Sequence, residues 1–173
     1  MKLGSMVFGL VGVVILAAGV QIVQPASAEA ATSYRIRNLA YDQCMGAPDL
    51  SLNVVLRILP CDSGPGFRRW YTETVSYRHS DIYRFRNVGT GRCAEVNQDS
   101  AVPGELVDDW TCNTTSAERW QAIPVMIGWD TYYRFKHVNT ELCLDTVGGS
   151  GSQLMQWYCD TSFNAAQLWK VEE

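Results

Sequence analysis

Three short stretches of this chain alternate apolar and polar residues. They are Tyr34-Arg35-Ile36-Arg37-Asn38-Leu39, Tyr83-Arg84-Phe85-Arg86-Asn87-Val88 and Tyr133-Arg134-Phe135-Lys136-His137-Val138. A period of two puts Tyr and Ile or Phe on the buried face of a strand and the basic residues on the other. Basic residues so placed read as a solvated outer face rather than as an anion-binding patch. Asn38, Asn87 and Asn139 are expected to open polar turns after these strands. From Tyr34 onward no helical stripe of ten residues survives, because Gly, Pro, Asp, Asn and Ser interrupt too often. The pattern predicts an all-β chain.

The alternating stretches mark a repeat. Tyr34, Tyr83 and Tyr133 are spaced by 49 and 50 residues, Cys44, Cys93 and Cys143 by 49 and 50, and Trp70, Trp120 and Trp169 by 50 and 49. Agreement at three landmarks defines copies at 34–75, 83–125 and 133–173. Four short strands per copy make twelve. Three copies in one domain suggest closure about a pseudo-threefold axis, since an open stack would leave bare edges. The Trp near the end of each copy is the expected core, each burying roughly 150–250 Å².

Six cysteines fall two to a copy, separated by 17, 19 and 16 residues. Pairing within each copy, Cys44–Cys61, Cys93–Cys112 and Cys143–Cys159, is the simplest solution. Each link then constrains the unfolded chain by roughly 3 kcal/mol. Disulfides fit the leader: Lys2, an apolar run from Met6 to Val23, and Pro25-Ala26-Ser27-Ala28 read as a signal peptide over residues 1–28. That predicts a secreted protein with no membrane attachment after cleavage, the alternative being an uncleaved anchor, for which the apolar run is long enough. Zinc is excluded by the oxidising compartment and the lack of CxxC spacing, and no metal or cofactor is expected. The whole chain carries −4, and loss of Lys2 leaves the mature chain more negative by a single charge. That sign disfavours nucleic acid and anionic membranes as partners.

Cys143-Leu144-Asp145, then Leu154-Met155-Gln156-Trp157-Tyr158-Cys159, then Gln167-Leu168-Trp169, with two degraded copies before it, resembles the ricin B-type lectin family. The resemblance covers Tyr34 to Glu173. It implies a β-trefoil domain over 34–173 that binds carbohydrate, a module also found appended to bacterial polysaccharide hydrolases. The family sets its key carboxylate two residues after the first cysteine, its aromatic platform two before the second, and an amide at the Gln of Gln-any-Trp. In the third copy these are Asp145, Trp157 and Gln167. The chemistry suits a sugar, whose vicinal hydroxyls need a carboxylate and amides and whose C–H face needs an aromatic ring. The family's Asn before that Gln is Ala166 here, and Asn164 is its candidate substitute. In the second copy the positions are Glu95, Trp110 and Glu118, a weaker site, with Asp108 and Asp109 adding charge close by. Like charges so near require a raised pKa or a recruited cation. The first copy has Gly46, Leu59 and Arg68 and is expected to be structural.

The expected function is therefore weak, non-catalytic binding of a galactose- or xylose-type sugar or polysaccharide, mainly through the third repeat. The rival is a protein-interaction or toxin-delivery subunit, with a partner protein, that keeps the trefoil and has lost its sugar sites. Catalysis is disfavoured: His79 and His137 read as loop and strand histidines, and no serine sits in a nucleophile-like turn. Intact-mass analysis of the exported protein is expected to show a chain beginning at Glu29. A secreted chain retaining Met1 would overturn the signal-peptide reading.

Overall fold

Each copy of the repeat folds as four strand positions. The computed structural model describes residues 31–62, 66–75 and 81–173, so the expected signal segment at 1–28 and His79 lie outside the described residues. The first copy holds β1 (Arg35–Asn38), β2 (Cys44–Gly46), β3 (Val54–Val55), β4 (Arg57–Leu59) and β5 (Trp70–Thr74). The second holds β6 (Ile82–Asn87), β7 (Cys93–Val96), β8 (Val107–Trp110) and β9 (Trp120–Ile127). The third holds β10 (Asp130–His137), β11 (Cys143–Thr146), β12 (Leu154–Trp157) and β13 (Trp169–Glu172). The thirteenth element arises because the third strand of the first copy is interrupted at Leu56. The Leu56 N–H donates to the Val107 carbonyl at 2.9 Å, and its own carbonyl accepts from the Leu154 N–H at 2.8 Å. Leu56, Val107 and Leu154 are equivalent by the repeat and fully buried, so they meet at the pseudo-threefold axis.

First and fourth strands close a barrel. The antiparallel pairs β5·β6, β6·β9, β9·β10, β10·β13 and β13·β1 run around it, and a bridge between Tyr34 and Trp70 completes the ring. The same Tyr–Trp register recurs as Tyr83↔Trp120 and Tyr133↔Trp169. The fold is thus a nearly closed β-trefoil, and closure removes the edges that an open sheet would expose. Second and third strands of each copy form hairpins over one end: β2·β4, β7·β8 and β11·β12.

The alternation has its expected consequence for Ile36, Phe85 and Phe135, which are buried in one core with Trp70, Trp120 and Trp169. Four of the six basic residues on these strands, Arg35 and Arg134 excepted, are held in ion pairs. Arg37 meets Asp42 and Glu172, Arg84 and Arg86 share Glu73, and Lys136 faces Glu141. Three disulfides, Cys44–Cys61, Cys93–Cys112 and Cys143–Cys159, close one hairpin each. Inside, each core indole donates to the carbonyl one residue after the first cysteine of its own copy: Trp70 to Met45 at 3.0 Å, Trp120 to Ala94 at 3.1 Å and Trp169 to Leu144 at 3.2 Å.

Asn38 and Asn87 open turns as expected, accepting from the Ala40 N–H and from the Gly89 and Thr90 N–H groups, and only the third position differs. Asn38 and Asn87 are fully buried, and each donates through Nδ2 to a carbonyl of another repeat segment, Ala166 at 2.8 Å and Phe67 at 3.0 Å. The third equivalent is His137 rather than Asn139. Its Nε2 lies 3.2 Å from the Ala117 carbonyl, while its Nδ1 lies 3.3 Å from the Thr140 N–H. Because a carbonyl only accepts, Nε2 carries the hydrogen and Nδ1 accepts, which reproduces both ends of an asparagine amide. His137 is therefore a core residue, and burial holds its pKa below the ordinary imidazole value.

Replacing Trp169 by Phe removes an indole donor and leaves the Leu144 carbonyl unpaired in the core. A loss of about 1–3 kcal/mol in urea unfolding, with an unchanged slope, is the expected result. Unchanged stability would show that the indole bond contributes nothing.

Candidate functional site

Hairpin register decides which side chains share a face. In β11·β12, Cys143 lies opposite Trp157, Leu144 opposite Gln156, Asp145 opposite Met155 and Thr146 opposite Leu154. Directly opposed residues point the same way, and residues two apart on a strand do too. Cys143, Asp145, Met155 and Trp157 thus occupy the outer face, while Leu144, Gln156, Thr146 and Leu154 face the core. Asp145 and Trp157 are diagonal neighbours, roughly 7–8 Å apart at the backbone.

The Asp145 carboxylate is only 5% exposed. One oxygen accepts from the Thr146 N–H at 2.6 Å and the other from Gln167 Nε2 at 2.8 Å. Burial pushes its pKa up, and these two donors oppose the rise. Gln167 is fully buried and both its amide hydrogens are donated. Nε2 also donates to the Tyr158 carbonyl at 2.8 Å, and Oε1 accepts from the Asp160 N–H at 2.9 Å. Its amide therefore holds the carboxylate rather than presenting a free group. Asn164 caps the short 3-10 turn Ala165–Gln167 by accepting from the Ala166 N–H at 3.1 Å, and its Nδ2 has no protein acceptor among the described residues.

Trp157 is 42% exposed and supplies the platform position. Its ring rests against the second copy, where a Cβ added at Gly104 would come within 3.4 Å of it. Gly104 has φ +91, a conformation that favours glycine. Tyr158 packs edge-on to Trp157 at 5.8 Å between centroids. Tyr158 and Phe163 are both largely exposed. The repeat pattern marks neither, because neither position recurs as aromatic in the other copies.

In the second copy Cys93 opposes Trp110, Ala94 opposes Asp109 and Glu95 opposes Asp108. The outer face therefore carries Glu95, Asp108 and Trp110. Asp109 does not add charge there: it points the other way, where Arg92 at 2.8 Å and Thr90 at 3.0 Å satisfy it. Glu118 stands where Gln167 stands. One of its oxygens accepts from the Asn113 N–H at 2.6 Å, and the other has no hydrogen-bond partner, with Arg84 at 3.6 Å. Burial pushes Glu95 up to about 7, with Glu118 and then Asp108 adding to the rise. Asp108 is pushed up to about 6 by burial and then by Glu105. Both carboxyls are thus held above the ordinary carboxylate range. Among the described residues no group of three or more His, Cys, Asp or Glu is placed to hold a metal ion.

The first copy is blocked. A Cβ at Gly46 would meet the Phe67 carbonyl at 2.9 Å and Arg68 Cγ at 3.1 Å, so Arg68 lies over the carboxylate position. Leu59 occupies the platform position, opposite Cys44.

Residues 81–173 match the family model described as the ricin-type beta-trefoil lectin domain. No curated protein matches the chain. Among solved structures, the designed threefold-symmetric protein ThreeFoil is 14% identical with a TM-score of 0.71, over 82% of this chain and 98% of that one. An exo-β-1,3-galactanase from Clostridium thermocellum is 22% identical with a TM-score of 0.70, over 86% of this chain and 30% of that one. The Haemophilus ducreyi cytolethal distending toxin is 19% identical with a TM-score of 0.66, over 86% of this chain and 87% of that one. These likenesses establish the trefoil architecture.

The carboxyls of the second copy set a pH dependence. The folded pKa of Glu95, about 7, lies above its ordinary 4.5. The folded protein therefore binds this proton more tightly, and the associated stability is full below about 4.5 and lost as pH rises to about 7. His137, with a lowered pKa, acts in the opposite sense below its ordinary 6.5. Glu95→Gln is expected to leave the unfolding free energy at about pH 4.5 near that of the parent and to raise it at about pH 8 by roughly 1–3 kcal/mol. An equal effect at both pH values would overturn the assignment.

Proposed function

The chain belongs to the ricin-type β-trefoil lectin domain family, a non-catalytic carbohydrate-binding fold, and from that membership we propose that it binds a galactose- or xylose-type sugar weakly through the third repeat. The observation that carries this reading is the Gln167–Asp145 hydrogen bond, which holds a carboxylate on the same hairpin face as the exposed Trp157. The outward lone pairs of Asp145 would accept from vicinal hydroxyls, and the ring of Trp157 would cover the C–H face of the pyranose. Asn164 Nδ2 would donate where the family's Asn is replaced by Ala166. Gln167 keeps the carboxylate in place without touching the sugar. The second repeat, through Glu95 and Trp110, contributes less to a neutral sugar because its amide is replaced by a carboxylate. One shallow site of this kind corresponds to a dissociation constant of the order of a millimolar, about −4 kcal/mol.

A galactan-degrading enzyme of which this chain spans 30% supports the idea of a module that grips polysaccharide. The leader supports secretion. The obstruction over Gly46 and the likeness to a cytolethal distending toxin favour one second reading, a trefoil subunit that docks on a protein partner. Glycan-array and polysaccharide pull-down assays separate the two. Binding to galactose- or xylose-type glycans is expected, with a loss of about tenfold or more in Asp145→Ala and Trp157→Ala. No binding to any glycan at millimolar concentration would leave the docking subunit as the surviving reading.

A further inference from the structure

The face that carries Asp145 and Trp157 does not end with β12. Trp157, Met155 and Gln153 are spaced by two along the chain and therefore point the same way. An antiparallel bridge sets Arg57 of the first repeat opposite Gln153, and another sets Leu106 of the second opposite Met155. Opposed residues share a face, so one surface runs from Trp157 past Asp145 and Met155 to Arg57. At its far end lies an open pocket of about 470 Å³, within the roughly 300–1,000 Å³ of small-ligand sites. Leu106, Val147 and Met155 supply its apolar lining, and Arg57, Ser152 and Gln153 its polar groups.

Arg57 Nη1 donates to the Gly151 carbonyl at 2.6 Å, which orients the guanidinium. Among the described residues, Nε and Nη2 have no acceptor and no carboxylate pairs with Arg57. Arg37, Arg84, Arg86 and Arg92, by contrast, each meet a carboxylate of the protein. The Nε–Nη2 edge presents two parallel N–H groups, the arrangement that a carboxylate accepts with both oxygens. The side chains of Ser152 and Gln153 also make no hydrogen bond among the described residues. Both suit the hydroxyls that flank a carboxylate on a sugar ring.

We infer that the third-repeat site continues into this pocket and takes an acidic oligosaccharide, with a neutral sugar on Trp157 and the carboxylate of a nearby uronic acid on Arg57. The inference rests on the reading that Asp145 and Trp157 hold a sugar, and it names the class of saccharide that this site prefers. From Trp157 to Gln153 the strand advances four residues, roughly 13 Å. One pyranose ring does not touch both ends, so the ligand is a chain. The first repeat, whose own face is plugged, lends an arginine, and the second lends an apolar wall through Leu106. The net charge of −4 gives no long-range pull on an acidic chain, so the preference comes from the short-range fork.

Isothermal titration calorimetry tests this with xylotetraose and galactotetraose, the same chains carrying one glucuronate, and the carboxyl-reduced forms of those acidic chains. The glucuronate chain is expected to bind about tenfold more tightly than its carboxyl-reduced form at low salt. That advantage should shrink as salt rises. Arg57→Ala is expected to abolish it and to leave the binding of free D-galactose or D-xylose, which reaches only Trp157, unchanged. Arg57→Lys should recover only part of it, since an ammonium keeps the charge without the fork. Equal binding of the acidic and carboxyl-reduced chains, or an advantage that survives Arg57→Ala, would overturn the proposal. Neutral chains that bind through Trp157 with no gain from glucuronate sink this inference alone. Acidic chains that need Arg57 but bind unchanged in Asp145→Ala and Trp157→Ala sink the third-repeat reading and leave the pocket. No binding of any chain sinks both.

Discussion

An indole N–H bound to the carbonyl one residue past a half-cystine is the bond on which the rest of the molecule depends. It occurs three times, at Trp70, Trp120 and Trp169. Each tryptophan opens the fourth strand of its copy and reaches the second strand, so one bond ties the barrel wall to the hairpin above it. The neighbouring disulfide then closes the open end of the same hairpin. Met45, Ala94 and Leu144, whose carbonyls accept these bonds, are themselves buried. A buried carbonyl without a partner costs about 1–3 kcal/mol. That constraint keeps tryptophan in all three copies while neighbouring positions drift.

The drift is confined to the faces that this frame does not use. On a strand, successive side chains point to opposite sides, so Leu144 and Ala94 can serve the core while Asp145 and Glu95 serve the outside. The residue before Leu168, Arg119 and Arg69 then sets the character of each outer face. Gln167 donates to Asp145 and stabilises a lone carboxylate. Glu118 cannot donate when ionised, and its neighbour Glu95 holds its proton to about pH 7. Arg68 instead lies over a glycine and fills the space. One position yields an ordered acceptor, a proton-holding acid cluster and a plug.

The repeat, the disulfide pairing and threefold closure were legible in the sequence because each rests on spacing, and the resemblance to the lectin family added the trefoil. Tyr, Cys and Trp recur at 49 or 50 residues, and a closed threefold fold must place equivalent residues in equivalent contacts. What escaped depends on geometry that spacing does not carry. His137 stands in for an asparagine because both ring nitrogens happen to match the two ends of an amide. The nearest asparagine in sequence is Asn139, two residues late. The separation of Asp108 from Asp109 needed the strand register, since adjacent residues look alike in sequence but face opposite sides. Likewise the sequence does not show that both amide hydrogens of Gln167 go to protein acceptors, the Asp145 carboxylate and the Tyr158 carbonyl.

The break at Leu56 shows how far the copies can diverge before the architecture responds. Leu56 bonds to the third strands of both other copies, so at the axis the first repeat serves as a junction as well as a hairpin. The third strand of the first copy divides at this residue. The third repeat bonds to both others too, through Leu154 to Leu56 and Gln156 to Glu105, and the first repeat differs in that Arg68 and Phe67 plug its outer face. Weak sites gain from one another only when a single ligand reaches several of them. Here the faces lie around a threefold axis and differ in charge, so each is free to answer to a different chemistry.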